Sequence, residues 1–194
     1  MPSQDRQRGF TMIELMIVIV IILVVTAVAI PAVMTATYNV RLRSSGSQVG
    51  GLLQSARMRA IRDNRTYPLN CMPQPANDCV TLYVDLSGTG NGAYQAGAAV
   101  VELPGTVRFS TAGFPAIPQA TLGFVPLVNQ QIYFNPRGLP CSRGGGGVCT
   151  NNGFVFYFQD QRALGTNGYG AVAITPAGRI RVYSYNLTHG WYQS

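Results

Sequence analysis

Residues 15–34 form an apolar run broken by one polar residue, Thr26, with Pro31 close to its end. At 1.5 Å per residue, twenty helical residues reach about 30 Å, the thickness of a hydrocarbon core. The run therefore belongs in a membrane at some stage. Pro31 removes a backbone donor and can kink the helix, which its late position makes tolerable. The chain is 194 residues long, enough for one modest domain beside this segment.

Composition narrows the rest. The sequence is 47% hydrophobic and 11% charged, which fits neither a disordered chain nor a highly charged cytosolic domain. Its fourteen basic residues are all Arg, against seven Asp and Glu, for a net charge of +7. That excess permits attraction to phosphate or acidic surfaces. With 22 Gly and 12 Pro, the nonhelical part is expected to be rich in turns.

A polar leader with Arg6 and Arg8 precedes Gly9-Phe10-Thr11-Met12-Ile13-Glu14-Leu15, so the processing signal lies before the apolar run rather than after it. This arrangement resembles a type IV prepilin. The resemblance implies cleavage by a prepilin peptidase between Gly9 and Phe10, methylation of the new Phe10 terminus, and insertion in the inner membrane before assembly. Glu14 then stands four residues beyond a positively charged terminus. In a filament it is expected to neutralise a neighbouring subunit's terminus in a low-dielectric bundle, where an unpaired charge is costly and register is thereby set. The plainer alternative is a helix-end carboxylate satisfied by water.

Beyond Pro31, the residues Leu42, Ser45, Val49, Leu52, Leu53, Ala56 and Ala60 trace a helical face suited to burial against a globular head, while Gly46, Gly50 and Gly51 weaken the helix signal. The expected division is a cleaved leader at 1–9, a transmembrane stem at 10–37 and a periplasmic or extracellular head at 38–194. After residue 65 strand signals dominate. They comprise the alternation around Val80, Leu82 and Val84, then Val107-Arg108-Phe109, Gln131-Ile132-Tyr133-Phe134 and Phe154-Val155-Phe156-Tyr157-Phe158. Ala171-Val172-Ala173-Ile174 and Arg179-Ile180-Arg181-Val182-Tyr183 follow, separated by the turn Pro176-Ala177-Gly178. The expected fold class is α+β, a long amino-terminal helix packed on antiparallel sheets.

Cys71 with Cys79 and Cys141 with Cys149 each enclose seven residues rich in Pro, Asn or Gly. In an exported head, these nearest-neighbour disulfides are favoured among three possible pairings. Each loop is worth about 2–3 kcal/mol in the chain-entropy description. Neither pair has the short spacing of a zinc knuckle or a redox-active motif, and no metal or cofactor is expected.

Several segments resemble the FimT/GspH-like minor pilins. They are the processing motif, the long helix, the stretch from Gly51-Leu52-Leu53-Gln54-Ser55-Ala56-Arg57 to Ala60, Asn135-Pro136-Arg137-Gly138, and Ile174-Thr175-Pro176-Ala177-Gly178-Arg179-Ile180-Arg181. The Gly178-Arg179-Ile180-Arg181 segment resembles a GRxR feature associated with DNA binding in such proteins. The resemblance implies phosphate contacts by Arg179 and Arg181, with Gly178 allowing close approach. Side chains two apart on a strand share a face, about 6–7 Å apart, and arginine grips phosphate with little base preference. A solubilising strand face is the simpler reading of the same pair. Arg137, and Arg143 beside the glycines at 144–147, extend the candidate surface; Arg41, Arg43, Arg57, Arg59, Arg62 and Arg65 point in several directions around a helix.

Tyr183, Tyr185, Trp191 and Tyr192 read as core or tail packing rather than a base-stacking platform, and His189 has no nucleophile or acidic orienter beside it. Dinucleotide, Walker and HExxH motifs are missing, as are paired catalytic carboxylates, so an enzyme is not expected. The expected function is that of a minor type IV pilin capturing extracellular double-stranded DNA for natural transformation. The alternative is a minor pilin or GspH-like pseudopilin with a structural or priming role in pilus assembly or type II secretion. The implied partners are double-stranded DNA, other major and minor pilins, the prepilin peptidase and the inner-membrane pilus assembly platform. The implied location is the inner membrane with a periplasmic head, then a cell-surface pilus.

Overall fold

A computed structural model of the chain describes residues 10–72, 80–88, 94–109, 113–128, 130–143, 148–161 and 168–193. The leader at 1–9 with Gly9, Cys79 and the glycines at 144–147 lie outside them. The chain divides into two compact units, 1–37 and 38–194, and helix α1 (Met12–Asp63) contributes to both.

In the first unit, α1 carries the apolar run. Its most apolar 18-residue window has a mean hydropathy of 3.2 and none of it is buried, so the segment is long and apolar enough to cross a membrane. Two of its threonines are turned back on the helix. The Thr26 hydroxyl reaches the Ile22 carbonyl at 2.9 Å and the Thr37 hydroxyl reaches the Val33 carbonyl at 2.8 Å. No free hydroxyl donor is thereby carried into apolar surroundings at either threonine. The helix continues through Pro31.

In the second unit the amphipathic face is the keel of the core. Leu42, Val49, Leu52, Leu53, Ala56 and Ala60 are all buried, together with Ser45, whose hydroxyl donates to the Arg41 carbonyl at 2.8 Å. Each large aliphatic side chain buried this way stabilises the fold by about 1.5–3 kcal/mol.

The strands are β1 (Tyr67–Met72), β2 (Thr81–Val84), β3 (Val100–Glu102), β4 (Val107–Phe109), β5 (Pro126–Val128), β6 (Tyr133–Phe134), β7 (Pro140–Arg143), β8 (Cys149–Asn151), β9 (Gly153–Asp160), β10 (Tyr169–Ile174), β11 (Ile180–Asn186) and β12 (Gly190–Gln193), with a short helix α2 (Gln119–Leu122) before β5. Among the described residues they form two sheets, ordered β3-β2-β1-β6-β7-β8 and β12-β11-β10-β9-β4, with β5 also on β9. The α+β class is as expected, with one departure: β5 runs parallel to β9, pairing Leu127 with Phe154.

Alternation along β9 explains the layering. Phe154, Phe156 and Phe158 join α1 and residues of both sheets in the main core, while Val155 and Tyr157 point the other way into a second core. That second core includes Ile117, Leu122, Ala171, Ala173 and Tyr183, with Phe114, Phe124 and Trp191 against it. The Tyr157 hydroxyl accepts the Ile117 N–H at 2.9 Å, and burial raises its pKa.

The glycines that weaken the helix signal serve the helix–sheet contact. A Cβ on Gly46 would lie 2.5 Å from Val182 Cγ1 and 3.3 Å from Phe158 Cζ, and one on Gly50 would touch Ile180 at 3.6 Å. Each glycine costs roughly 1 kcal/mol of helix propensity, and the close packing onto β11 and β9 offsets it. Gly51 has open space around its missing Cβ. Gly46→Val is therefore expected to lower the unfolding free energy of the head by about 1–3 kcal/mol. Gly51→Ala is expected to raise it by about 0.5–1 kcal/mol. Chemical denaturation of both variants beside the parent measures the two signs.

Candidate functional site

The two segments Asn135-Pro136-Arg137-Gly138 and Thr175-Pro176-Ala177-Gly178 fold into the same turn. In each, proline presets the first turn position and glycine closes it with positive φ, 74° at Gly138 and 81° at Gly178. The Gly138 N–H donates to the Asn135 carbonyl at 2.8 Å, and the Gly178 N–H to the Thr175 carbonyl at 2.7 Å. The leading side chain locks each loop. Asn135 Oδ1 accepts the Arg137 and Leu139 N–H groups at 2.9 and 3.0 Å, and Thr175 Oγ1 accepts the Arg179 N–H at 3.0 Å.

One turn joins β6 to β7 in the first sheet; the other joins β10 to β11 in the second. They meet at their glycines, both buried. A Cβ on Gly178 would lie 3.2 Å from the Gly138 carbonyl oxygen and 3.2 Å from Arg57 Cζ, and one on Gly138 would lie 2.6 Å from Ile61 Cδ1 and 3.2 Å from Arg57 Cγ. Arg57, on α1, donates from Nη1 to the Gly178 carbonyl at 2.9 Å. One helical arginine thus touches both turns.

This junction decides which arginines are available. Arg179 precedes β11 rather than lying within it; it is exposed, opposite Thr175. Arg181 is half-buried, paired in register with Ala173 and on the Tyr183 side of the strand. Arg137 is exposed at the tip of the first turn. Among the described residues, no carboxylate pairs with Arg137, Arg179 or Arg181. The close approach that Gly178 permits is to Gly138 and Arg57, because its missing side chain faces inward.

Arg143 stands apart from this group. It ends β7, five residues beyond Gly138, so it lies about 13–17 Å along an extended chain, with Nη1 at 3.5 Å from the Gly88 carbonyl. Neighbouring Cys141 and Cys149 are joined by a disulfide with Cα atoms 5.4 Å apart; Cys71 is also disulfide-bonded.

Two other helical arginines are engaged with an acid. Asp63 receives Arg62 Nε at 2.8 Å and lies 3.8 Å from Arg59 Nε, while the Tyr67 hydroxyl donates to it at 2.9 Å. The Arg62 and Tyr67 hydrogen bonds hold the Asp63 carboxyl below its ordinary range, and the pairing raises Arg62. Most of the aromatic tail is packing: Tyr183 is buried, the Trp191 indole N–H donates to the Pro115 carbonyl at 2.8 Å, and its ring lies 5.6 Å from that of Tyr157, while Tyr192 is exposed. No group of three or more His, Cys, Asp or Glu is placed to hold a metal among the described residues.

At the other end of the chain, Thr11 caps α1. The Glu14 N–H faces Thr11 Oγ1 at 3.4 Å, and the Leu15 N–H donates to the Thr11 carbonyl at 3.2 Å. The Thr11-to-Glu14 spacing is that of a capping box, and an acid in the first turn complements the helix dipole. Glu14 therefore has a local role beside any partner it meets in an assembly. The sequence reading did not include this cap, although the Thr-x-x-Glu spacing carries its signal.

Residues 4–30 match the prokaryotic N-terminal methylation motif. A comparison with curated proteins finds no match. Among solved structures, the chain is similar to the type IV minor pilin FimU of Pseudomonas aeruginosa at 16% identity and a TM-score of 0.49, over 81% of this chain and 97% of that one. A likeness at this level assigns no activity, and neither finding singles out the FimT/GspH-like group.

The twin-turn geometry is testable through its glycines. Gly138→Ala and Gly178→Ala each put a side chain into a left-handed conformation and a crowded space, and each is expected to lower stability by about 1–2 kcal/mol. Gly105→Ala, in open space, is expected to change stability by less than about 0.5 kcal/mol. Urea denaturation midpoints at constant m-value provide the comparison.

Proposed function

We propose that this chain is a pilin-type filament subunit with a structural or priming role in pilus assembly or in type II secretion. The observation that carries the reading is the methylation motif at 4–30, which takes in most of the apolar part of α1, with Glu14 in the first turn. A helix-on-sheets head attached to such a segment is the architecture a subunit needs to pack by its helix and display its head. In this reading a prepilin peptidase cuts between Gly9 and Phe10, the new terminus is methylated, and the stem holds the subunit in the inner membrane with its head in the periplasm. An assembly platform then passes it into a filament of major and minor pilins.

Glu14 has the central role in that process. A buried ammonium left without its carboxylate is strongly unfavourable, so subunits dock where Glu14 meets a neighbour's Phe10 amine. Glu14→Ala is expected to cut incorporation into sheared filaments by about tenfold or more at equal cellular expression. Unchanged incorporation by immunoblot would count against this role.

A second reading is favoured by one specific observation: Arg137 and Arg179 are exposed on abutting turns with no carboxylate partner among the described residues. Two free guanidinium groups at one junction suit a phosphodiester backbone, and in this reading the chain is a FimT/GspH-like minor pilin that captures double-stranded DNA during natural transformation. Arg179 leads, Arg137 joins it, Arg181 supports from its half-buried position, and Arg143 adds a more distant contact.

Affinity would come from released counterions and would fall as salt rises. Arg179→Ala/Arg181→Ala is expected to weaken binding across unrelated DNA sequences and to lower the log–log salt slope by up to about 1.8, or about 0.9 per lost contact. A folded double variant that binds like the parent would remove these residues from the interface. Loss of uptake with normal piliation would separate capture from assembly.

A further inference from the structure

We propose that Arg57 is a positioning residue that locks two arginine-bearing turns, one from each sheet, into a single surface for a phosphodiester backbone. The inference rests on the DNA reading of the same junction and adds a residue that touches no phosphate. Three observations support it.

The first is that the turns come from different sheets. The loop carrying Arg137 connects β6 to β7, and the loop preceding Arg179 connects β10 to β11; neither sheet alone fixes their separation. The second is the contact between them, with the Gly138 carbonyl oxygen 3.2 Å from where a Gly178 Cβ would stand. Since Arg137 and Arg179 adjoin these glycines, their Cα atoms lie within about 15 Å of each other. Long arginine side chains on both can reach one stretch of backbone.

The third is the place of Arg57 itself. Its Nη1 is held by the Gly178 carbonyl at 2.9 Å, its Cγ lies 3.2 Å from where a Gly138 Cβ would stand, and it is half-buried. A half-buried guanidinium committed to a backbone carbonyl is poorly placed to grip a ligand. It is well placed to hold the Gly178 turn against the helix. Arg59 and Arg62, two and five residues further along α1, are instead drawn to Asp63 and leave this role to Arg57.

The ordering matters for affinity because two cations mounted on separate loops bind a polyanion best when their spacing is set before binding. Loss of the Arg57 bond would leave both phosphate-contacting arginines in place but loosen their relative position. That gives a signature distinct from deleting a contact. The number of phosphates neutralised, read as the salt slope, stays the same while the affinity falls.

The test uses the full chain in a nonionic detergent, with a duplex DNA of arbitrary sequence as probe and hydrogen exchange as a second readout. Arg57→Met keeps most of the stem and removes the donor. It is expected to weaken binding about five- to tenfold, the equivalent of one lost hydrogen bond, with the salt slope unchanged. The Arg179 amide, which donates to Thr175 Oγ1, is expected to exchange faster while amides of β9 keep their protection. Arg57→Lys retains charge and reach and, because the contact is a single bond to a carbonyl, is expected to recover part of the affinity. Arg137→Ala and Arg179→Ala are each expected to lower the slope by about 0.9.

A slope lowered as much by Arg57→Met as by Arg179→Ala would make Arg57 a phosphate contact and overturn the positioning role. Unchanged affinity and unchanged Arg179 exchange in Arg57→Met would overturn the clamp. If the parent chain does not bind DNA, the shared phosphate surface fails together with the DNA reading, and the exchange at Arg179 still decides whether Arg57 orders the turn.

Discussion

The architecture of the head depends on how closely α1 can approach the sheets. Gly46 and Gly50 leave room for Val182 and Ile180, while Ala56 and Ala60 are buried further along the same helix. Small residues on the contact face bring the helix axis near the strand surface, and the flanking Leu42, Val49, Leu52 and Leu53 then fill the space between. A longer side chain at Gly46 would have to displace Val182, and with it the face of β11 that positions the neighbouring turn. The helix thus gives up intrinsic propensity at its glycines and gains packing density in return.

The same approach explains why one helical arginine can serve two loops. Arg57 follows the buried Ala56 and precedes Ala60 by less than one turn, so it leaves the core at the edge where the two sheets come together. The turns there have no side chains at their innermost positions, Gly138 and Gly178, which is what lets the guanidinium and a backbone carbonyl occupy that space. Positive φ at both glycines is the second half of the explanation: the turn that makes the hairpin and the vacancy that admits Arg57 require the same residue type. Exposure then divides the arginines, with Arg137 and Arg179 outside the junction, Arg57 within it and Arg181 along the rim of the second core.

Much of this was legible in the residues. The buried face from Leu42 to Ala60 has helical spacing, and apolar runs at Phe154 to Phe158 and Ala171 to Ile174 mark the two central strands. The strands that sequence reasoning missed are β1, β3, β5, β7, β8 and β12, whose signals are short, interrupted by proline or at an edge. Strand β1 contains Pro68; β3, β5 and β8 are three residues long; β7 begins at Pro140; and β12 lies at a sheet edge. Strands β3, β7, β8 and β12 pair with the strand just before them, whereas β1 on β6 and β5 on β9 take partners farther along the chain. For the site, Arg137, Arg179 and Arg181 could be singled out by type and motif. Arg57 could not, because its significance is a contact across 121 residues, and at helical spacing it looks like any other cation on a solvated face.

The repeated Pro-x-Gly pattern did hold a clue to the junction. Two segments that open with Asn or Thr, continue with Pro and close with Gly specify the same hairpin turn, and two such turns in one head are candidates for a common surface. What sequence cannot supply is their adjacency, which follows from each sheet's separate packing on α1. The arginines on these turns therefore owe their proximity to the apolar contact beneath them. Burial of the helix face brings the sheets together, the sheets bring the turns together, and charge collects where the core ends. An interaction surface built in this order is set by packing before any ligand arrives, so changes at Gly46 or Ala60 can alter it without touching a single charge.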